Sequence, residues 1–129
     1  EHLPEPERAL ALLPRILKPE GLLLVSLPNV ANVTVRLGLL AGRFTPTDRG
    51  ILDRTHLRFF TRRTGRELLS RSGFRVVRET ATAMPVELAL PALGLPPLAP
   101  LVRGVARALA ALWPGMFAYQ FVYEARLAR

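Results

Sequence analysis

The sequence predicts an α/β domain, and three observations carry that expectation. Helix-like and strand-like segments alternate along the chain, as they do in a layered sheet. The run LLLVSL at 22–27 is short, continuously apolar and bounded by turn residues, the pattern of a strand buried on both faces within a parallel sheet. The C-terminal FAYQFVYEARL alternates Phe117, Tyr119, Phe121 and Tyr123 with other residues, which predicts a last strand with one aromatic face. At 129 residues the chain is about one domain long.

The elements follow in order. Residues 5–17 place Ala9, Leu10, Leu12, Leu13, Ile16 and Leu17 at helical spacing, with acidic residues at the front where a helix dipole favours them. Pro14 would cost about 3 kcal/mol inside that helix, unless the helix breaks and restarts with Pro14 in its first turn. KPEG at 18–21 is a stop signal, and Pro28 ends the strand at 22–27. Residues 30–41 read as a helix with Val30, Val33, Leu37 and Leu40 on one side, weakened by Asn32, Thr34 and Gly38. Periodicity disappears from 42 to 60, which predicts a long ordered loop of the kind that usually carries function. Thr61 or Thr64 caps the next helix, TGRE at 64–67 has the form of a capping box, and Gly73 supplies the stop. A strand then starts at Phe74. Residues 83–116, rich in Pro, Leu and Ala, read as an inserted helical segment. Within it Leu98, Leu101, Val102, Val105, Leu109 and Leu112 lie along one side of a helix from about 98 to 113, with Arg103 and Arg107 elsewhere. Packing on the sheet is its expected role; a lid over an apolar acceptor and peripheral contact with a membrane surface are the alternatives.

Composition limits the chemistry. Half the residues are hydrophobic and 22% are charged, as in a globular protein. The absence of cysteine excludes disulfides, thiolate metal sites and cysteine nucleophiles. The formal charge is +8 and Lys18 is the only lysine, so arginine dominates the positive surface. That favours an anionic partner, although an arginine-rich coding bias explains it equally. No basic start followed by an apolar run is present, and the uncharged stretch 88–102 is short and broken by prolines. A cytoplasmic location is therefore expected.

Few residues can do acid–base work. His56 stands in GILDRTHLRFFT at 50–61, three residues after Asp53. On one helical turn that carboxylate can orient the imidazole, the arrangement of a general base and its orienter. The competing reading is a structural histidine bonded to a backbone carbonyl, with Asp53 capping a turn. Asn29 follows the strand at 22–27, where ligands of open α/β sheets gather, but asparagine beside Pro28 is also a turn former. Arg43, Arg49, Arg54, Arg58, Arg62, Arg63 and Arg66 crowd one stretch, either to bind a phosphorylated or carboxylated acceptor or as a solvated basic face. Nucleic acid is disfavoured, because no aromatic stacking platform interleaves with these arginines. No metal site is expected from two histidines so far apart in sequence.

Three segments, EHLPEPERAL...ILKPEGLLLVSLPN, LAGRF...DRGILDRTHLRFFT and LLSRSGFRVV, together resemble the C-terminal half of class I S-adenosylmethionine-dependent methyltransferases. The likeness is nearest to the ubiquinone-biosynthesis and sugar or lipid methyltransferases and covers residues 1 to about 80. The resemblance implies a partial Rossmann-like class I methyltransferase sheet, its C-terminal half, with helices on both faces and an inserted helical or lid segment at 83–116. It implies that EHL follows the fourth strand, that KPEG precedes the fifth, and that HLRFFT leads into the helix before the sixth, all in one truncated domain over 1–129. It assigns S-adenosylmethionine as cofactor with Glu1, His2 and Leu3 on its side of the site, His56 and Asp53 as catalytic residues, and Asn29, Arg43 and Arg58 on the side of a small-molecule or lipid-linked acceptor. No G-x-G-x-G stretch occurs in the chain, so the resemblance places the glycine-rich cofactor loop before Glu1. The expected partner is then the N-terminal half or a second copy of the chain. The alternative is a non-catalytic remnant acting as an oligomerising or interaction module.

Overall fold

The computed structural model describes residues 1–85 and 98–128, so part of the segment expected as an insertion lies outside the described residues. The helix expected at 5–17 is broken at its proline. Helix α1 covers Pro6–Leu12, and a single 3-10 turn, Leu13–Arg15, takes Pro14 within its first two positions, where the missing N–H costs no internal hydrogen bond.

Strand β1 (Leu23–Pro28) pairs antiparallel with β3 (Gln120–Leu127), and β2 (Phe74–Thr82) pairs antiparallel with the opposite side of β3. The order is β1-β3-β2, so the last strand of the chain is the middle strand of the sheet. This corrects the expectation for 22–27. Among the described residues β1 is an outer strand in an antiparallel sheet, and its Leu24 is 63% exposed. Leu23, Val25 and Leu27 supply the inward side, and the continuous apolar run does not signify two covered faces. The aromatic alternation is likewise narrower than expected. Phe121 and Tyr123 line the inner face of β3, whereas Phe117 closes the short helix α5 (Pro114–Phe117) and meets Trp113 edge to face.

The core forms where that inner face meets two helices. Phe121, Tyr123 and Ala125 pack with Leu27, Phe74, Leu10 of α1, and Leu68 and Leu69 of α3 (Arg62–Arg71). Each large apolar side chain removed from water here stabilises by roughly 1.5–3 kcal/mol. Helix α3 lies so close to β3 that a Cβ added at Gly65 would stand 2.6 Å from the Tyr123 hydroxyl. The same helix is tied to β2 by charge: Arg62 Nε and Arg66 Nε donate to the two carboxylate oxygens of the nearly buried Glu79, at 2.6 and 2.5 Å. Its N-terminus is capped by Thr61, whose hydroxyl accepts from Thr64 N while Thr64 Oγ1 accepts from Thr61 N, so the capping box starts at Thr61 and not at Thr64. Gly73, at φ +81°, ends the helix as expected. Among the described residues, α1 and α3 cover the face that carries Phe121 and Tyr123. The other face shows exposed Leu24 beside the Arg78–Glu124 ion pair over β1 and its neighbours.

Helix α2 (Val33–Leu40) is capped by Asn32, whose side chain accepts from Thr34 N. It buries Val35, while Leu37 and Leu40 of the expected apolar side are exposed. Helix α4 (Ala99–Leu112) repeats this inversion. It docks through Ala110, with Ala99, Val102 and Ala106 half-buried on the same side, and leaves Leu98, Leu101, Val105, Leu109 and Leu112 exposed. Small side chains allow the closer approach, so the leucine side is the one left outside. The helix does contact β2, and of the apolar side chains that the spacing put on one side only Val102 turns toward the fold.

Candidate functional site

The carboxyl end of β1 is a fastened corner. Asn29 is fully buried; its Nδ2 donates to the carbonyls of Ala118 and Gly115 at 2.9 and 3.3 Å, and its Oδ1 accepts from Ala31 N at 3.1 Å. Asn32 Nδ2 donates to the same Ala118 carbonyl at 2.9 Å. Val30 N donates to Phe60 O, which joins the end of the long loop to the same corner. Asn29 therefore commits its amide to backbone groups, and the corner positions what surrounds it.

The loop at 42–60 is ordered by its own backbone, as the lack of periodicity led us to expect. Thr47 N donates to Leu52 O at 2.8 Å, Arg54 N to Thr47 O at 3.0 Å, and Gly50 takes φ +103°, a conformation that side chains disfavour. Asp53 Oδ1 accepts from Thr55 N at 2.8 Å and from Thr55 Oγ1 at 2.6 Å. These two bonds hold the Asp53 carboxyl below the usual carboxylate range. Asp53 is thus engaged with Thr55, and the group that orients His56 is the Ile51 carbonyl, 3.1 Å from Nδ1.

The N-terminal residues lie against this loop. Leu57 N and Arg58 N both donate to Glu1 O, at 2.8 and 3.1 Å, and the Arg58 guanidinium donates twice to Pro4 O, at 2.9 and 2.6 Å. His2 Nδ1 lies 3.1 Å from Thr55 Oγ1 and 3.3 Å from Thr55 O. The tautomers follow by counting protons. A carbonyl can only accept, so in the neutral ring His56 Nδ1 carries the hydrogen and Nε2 keeps the lone pair. Thr55 gives its one hydroxyl proton to Asp53, so in the neutral ring His2 Nδ1 is also a donor. The two rings meet edge to face with centroids 4.9 Å apart, and the Glu1 carboxylate lies 3.9 Å from His2 Nε2.

Two stretches singled out separately in the sequence are thereby one cluster of Glu1, His2, Asp53, Thr55 and His56. One ligand atom from each of Glu1, His2 and His56 lies within 4.8 Å of the other two. Two imidazoles and a carboxylate are a donor set suited to a divalent transition metal. The argument that sequence separation keeps the histidines apart is overturned, because the backbone bonds to Glu1 O cancel a separation of more than fifty residues.

The other candidates lie around the cluster. Arg43 lines a cavity of 330 Å³ with Thr34, Ile51, Met84 and Tyr119. Ile51 joins this cavity to the cluster, because it lines the space and its carbonyl holds His56. Glu1 and Leu3 border an apolar cavity of 260 Å³ against Leu10, Val25, Leu27 and Phe60. The arginine crowd is dispersed: Arg62 and Arg66 hold Glu79, Arg63 pairs with Glu67, Arg54 with Asp48, and Arg58 fastens the N-terminal segment. A depression of 530 Å³ along the outer edge of β2, near Arg66, Arg75 and Arg78, is larger but contains no histidine. Thr55 and the Ile51 carbonyl were not singled out from sequence. The Asp-x-Thr spacing at 53–55 is the signal that could have found Thr55, whereas a carbonyl leaves no mark in a sequence.

No helix among the described residues is long and apolar enough to cross a membrane. Compared with known families, the chain matches a family model described as a methyltransferase domain over residues 1–79, a span holding both histidines, β1, α2, the loop and α3. No curated protein matches it.

Proposed function

The chain belongs to the methyltransferase domain family, and from that premise we propose that it carries the acceptor side of an S-adenosylmethionine-dependent transfer to a hydroxyl of a small-molecule or lipid-linked acceptor. His56 is the base. The acceptor oxygen attacks the sulfonium methyl carbon, the carbon–sulfur bond breaks with its electron pair going to sulfur, and the hydroxyl proton goes to His56 Nε2. Displacement of this kind asks the protein mainly for alignment and a proton acceptor. The observation that carries the reading is the Ile51 carbonyl on His56 Nδ1, which leaves a lone pair at Nε2 on a half-exposed imidazole held by a residue that itself lines the Arg43 cavity. Arg43, on the wall of that cavity, is suited to a phosphoryl or carboxyl group of the acceptor. Glu1, His2 and Leu3 take the cofactor side, with Asp53 and Thr55 fixing the His2 ring.

The test is methyl transfer from labelled S-adenosylmethionine to a panel of phenols, sugars and polyprenyl-linked sugars, together with calorimetric titration of the cofactor. With the glycine-rich half supplied as partner, the reading predicts cofactor binding that His56→Gln leaves unchanged, and a transfer rate that His56→Gln lowers by about 10²–10⁴. Equal rates in the variant would remove His56 from the base role. Absence of heat into the millimolar range would favour a non-catalytic interaction module that uses the outer strands β1 and β2.

A further inference from the structure

Two helices turn their apolar stripes outward, and the two stripes adjoin. Val33, Leu37 and Leu40 of α2 form a groove of 540 Å³ with Met116 of α5 and Arg36 at its side. Val33 also borders a crevice with Leu109 of α4 and Phe117, and Phe117 in turn holds Trp113 edge to face. Leu40 is 85% exposed, Leu112 83% and Trp113 60%, so the chain presents a continuous apolar platform with a tryptophan on it. From 21 to 47 the only charged residues are Arg36 and Arg43, and from 98 to 123 the only ones are Arg103 and Arg107. Every charge carried by the platform's own segments is positive.

We infer that this platform docks on an anionic bilayer surface. Apolar side chains on a basic helical face seat at the boundary between headgroups and acyl chains, a tryptophan prefers that depth, and arginines gain from anionic headgroups. A second copy of the chain fits the platform less well, since a two-fold contact would set these arginines against one another. The position also suits the site. Thr34 and Met84 border both the Leu109 crevice and the Arg43 cavity, so a lipid-linked molecule leaving the bilayer would meet the cavity that Arg43 lines. That last step, entry into the Arg43 cavity, rests on the proposed methyl transfer, whereas docking does not.

Trp113 is the only tryptophan, so its fluorescence reports directly on the platform. The purified protein, without cofactor, is mixed with vesicles of phosphatidylcholine containing about a third phosphatidylglycerol, and emission and co-sedimentation are followed. The expected result is a blue shift with co-sedimentation, reversed by salt and far weaker on phosphatidylcholine alone. Leu112→Glu and Leu40→Glu should each weaken binding at least about tenfold, while Ile16→Glu, an exposed apolar position outside the platform, should not. Circular dichroism checks that each variant folds, and two separate platform positions guard against the loss of one. No blue shift, equal binding to neutral vesicles, or a blue-shifted dimer without vesicles would overturn the inference. Failure here leaves the transfer assay untouched, and failure of that assay leaves vesicle docking untouched.

Discussion

The inner face of the sheet and the loop cluster use the same bond to different ends. Tyr123 donates its hydroxyl to the Arg62 carbonyl at 3.1 Å, and His56 turns Nδ1 to the Ile51 carbonyl at the same distance. Tyr123 is wholly buried, and that burial pushes its hydroxyl well above the usual tyrosine range, so it is a neutral structural strut. His56 is half-exposed, with its second nitrogen uncommitted among the bonds described. A polar side chain becomes part of the framework when its surroundings close over it, and becomes available for chemistry when they do not.

The sharpest way to break this comparison is to empty the inner face. Tyr123→Ala should cost about 3–5 kcal/mol in urea unfolding, because it deletes a buried ring and strips α3 of its contact. Asn29→Ala is expected next, at roughly 2 kcal/mol, since it removes a buried amide that satisfies the Gly115 and Ala118 carbonyls. Gly65→Ala should destabilise by about 1–2 kcal/mol despite alanine's better helix propensity, because its Cβ would overlap the Tyr123 hydroxyl. Adding Tyr123→Phe should recover part of that loss. A gain in stability for Gly65→Ala alone would show that α3 and β3 are less tightly joined than described.

On the loop side the effects on folding should be small. His56→Gln should move the unfolding midpoint by the equivalent of no more than about 0.5 kcal/mol, since it leaves no cavity in the core. Asp53→Asn sharpens the comparison through pH. The folded carboxyl is held below its unfolded value, so its contribution is present above about pH 4 and is lost as pH falls through the folded value. Wild type and variant should therefore differ at neutral pH and converge in acid, as urea midpoints at several pH values would show.

The sequence made local chemistry readable and long-range pairing unreadable. The break at Pro14, the threonine cap before α3, the stop at Gly73 and the inward side of Phe121 and Tyr123 are all set by residues within a few positions. The antiparallel partner of β1 comes from nearly a hundred residues away, and an apolar run does not name its neighbour. Periodicity found apolar stripes on α2 and α4 but not what they face, since the same stripe serves any apolar surface. In the cluster both histidines and Asp53 were recognisable by type, and Arg43 does line a cavity. Their meeting depends on backbone bonds from Leu57 and Arg58 to Glu1 O, which no side-chain pattern encodes.

The central claim is that His2 and His56 form one site in which both rings donate from Nδ1, leaving His56 Nε2 open and His2 Nε2 toward the Glu1 carboxylate. Long-range nitrogen–proton NMR of the two imidazoles tests it directly. Near neutral pH both rings should show the Nδ1–H tautomer, and His56→Gln should shift the His2 signals. An Nε2–H tautomer at either ring, or His2 signals indifferent to the substitution, would contradict it.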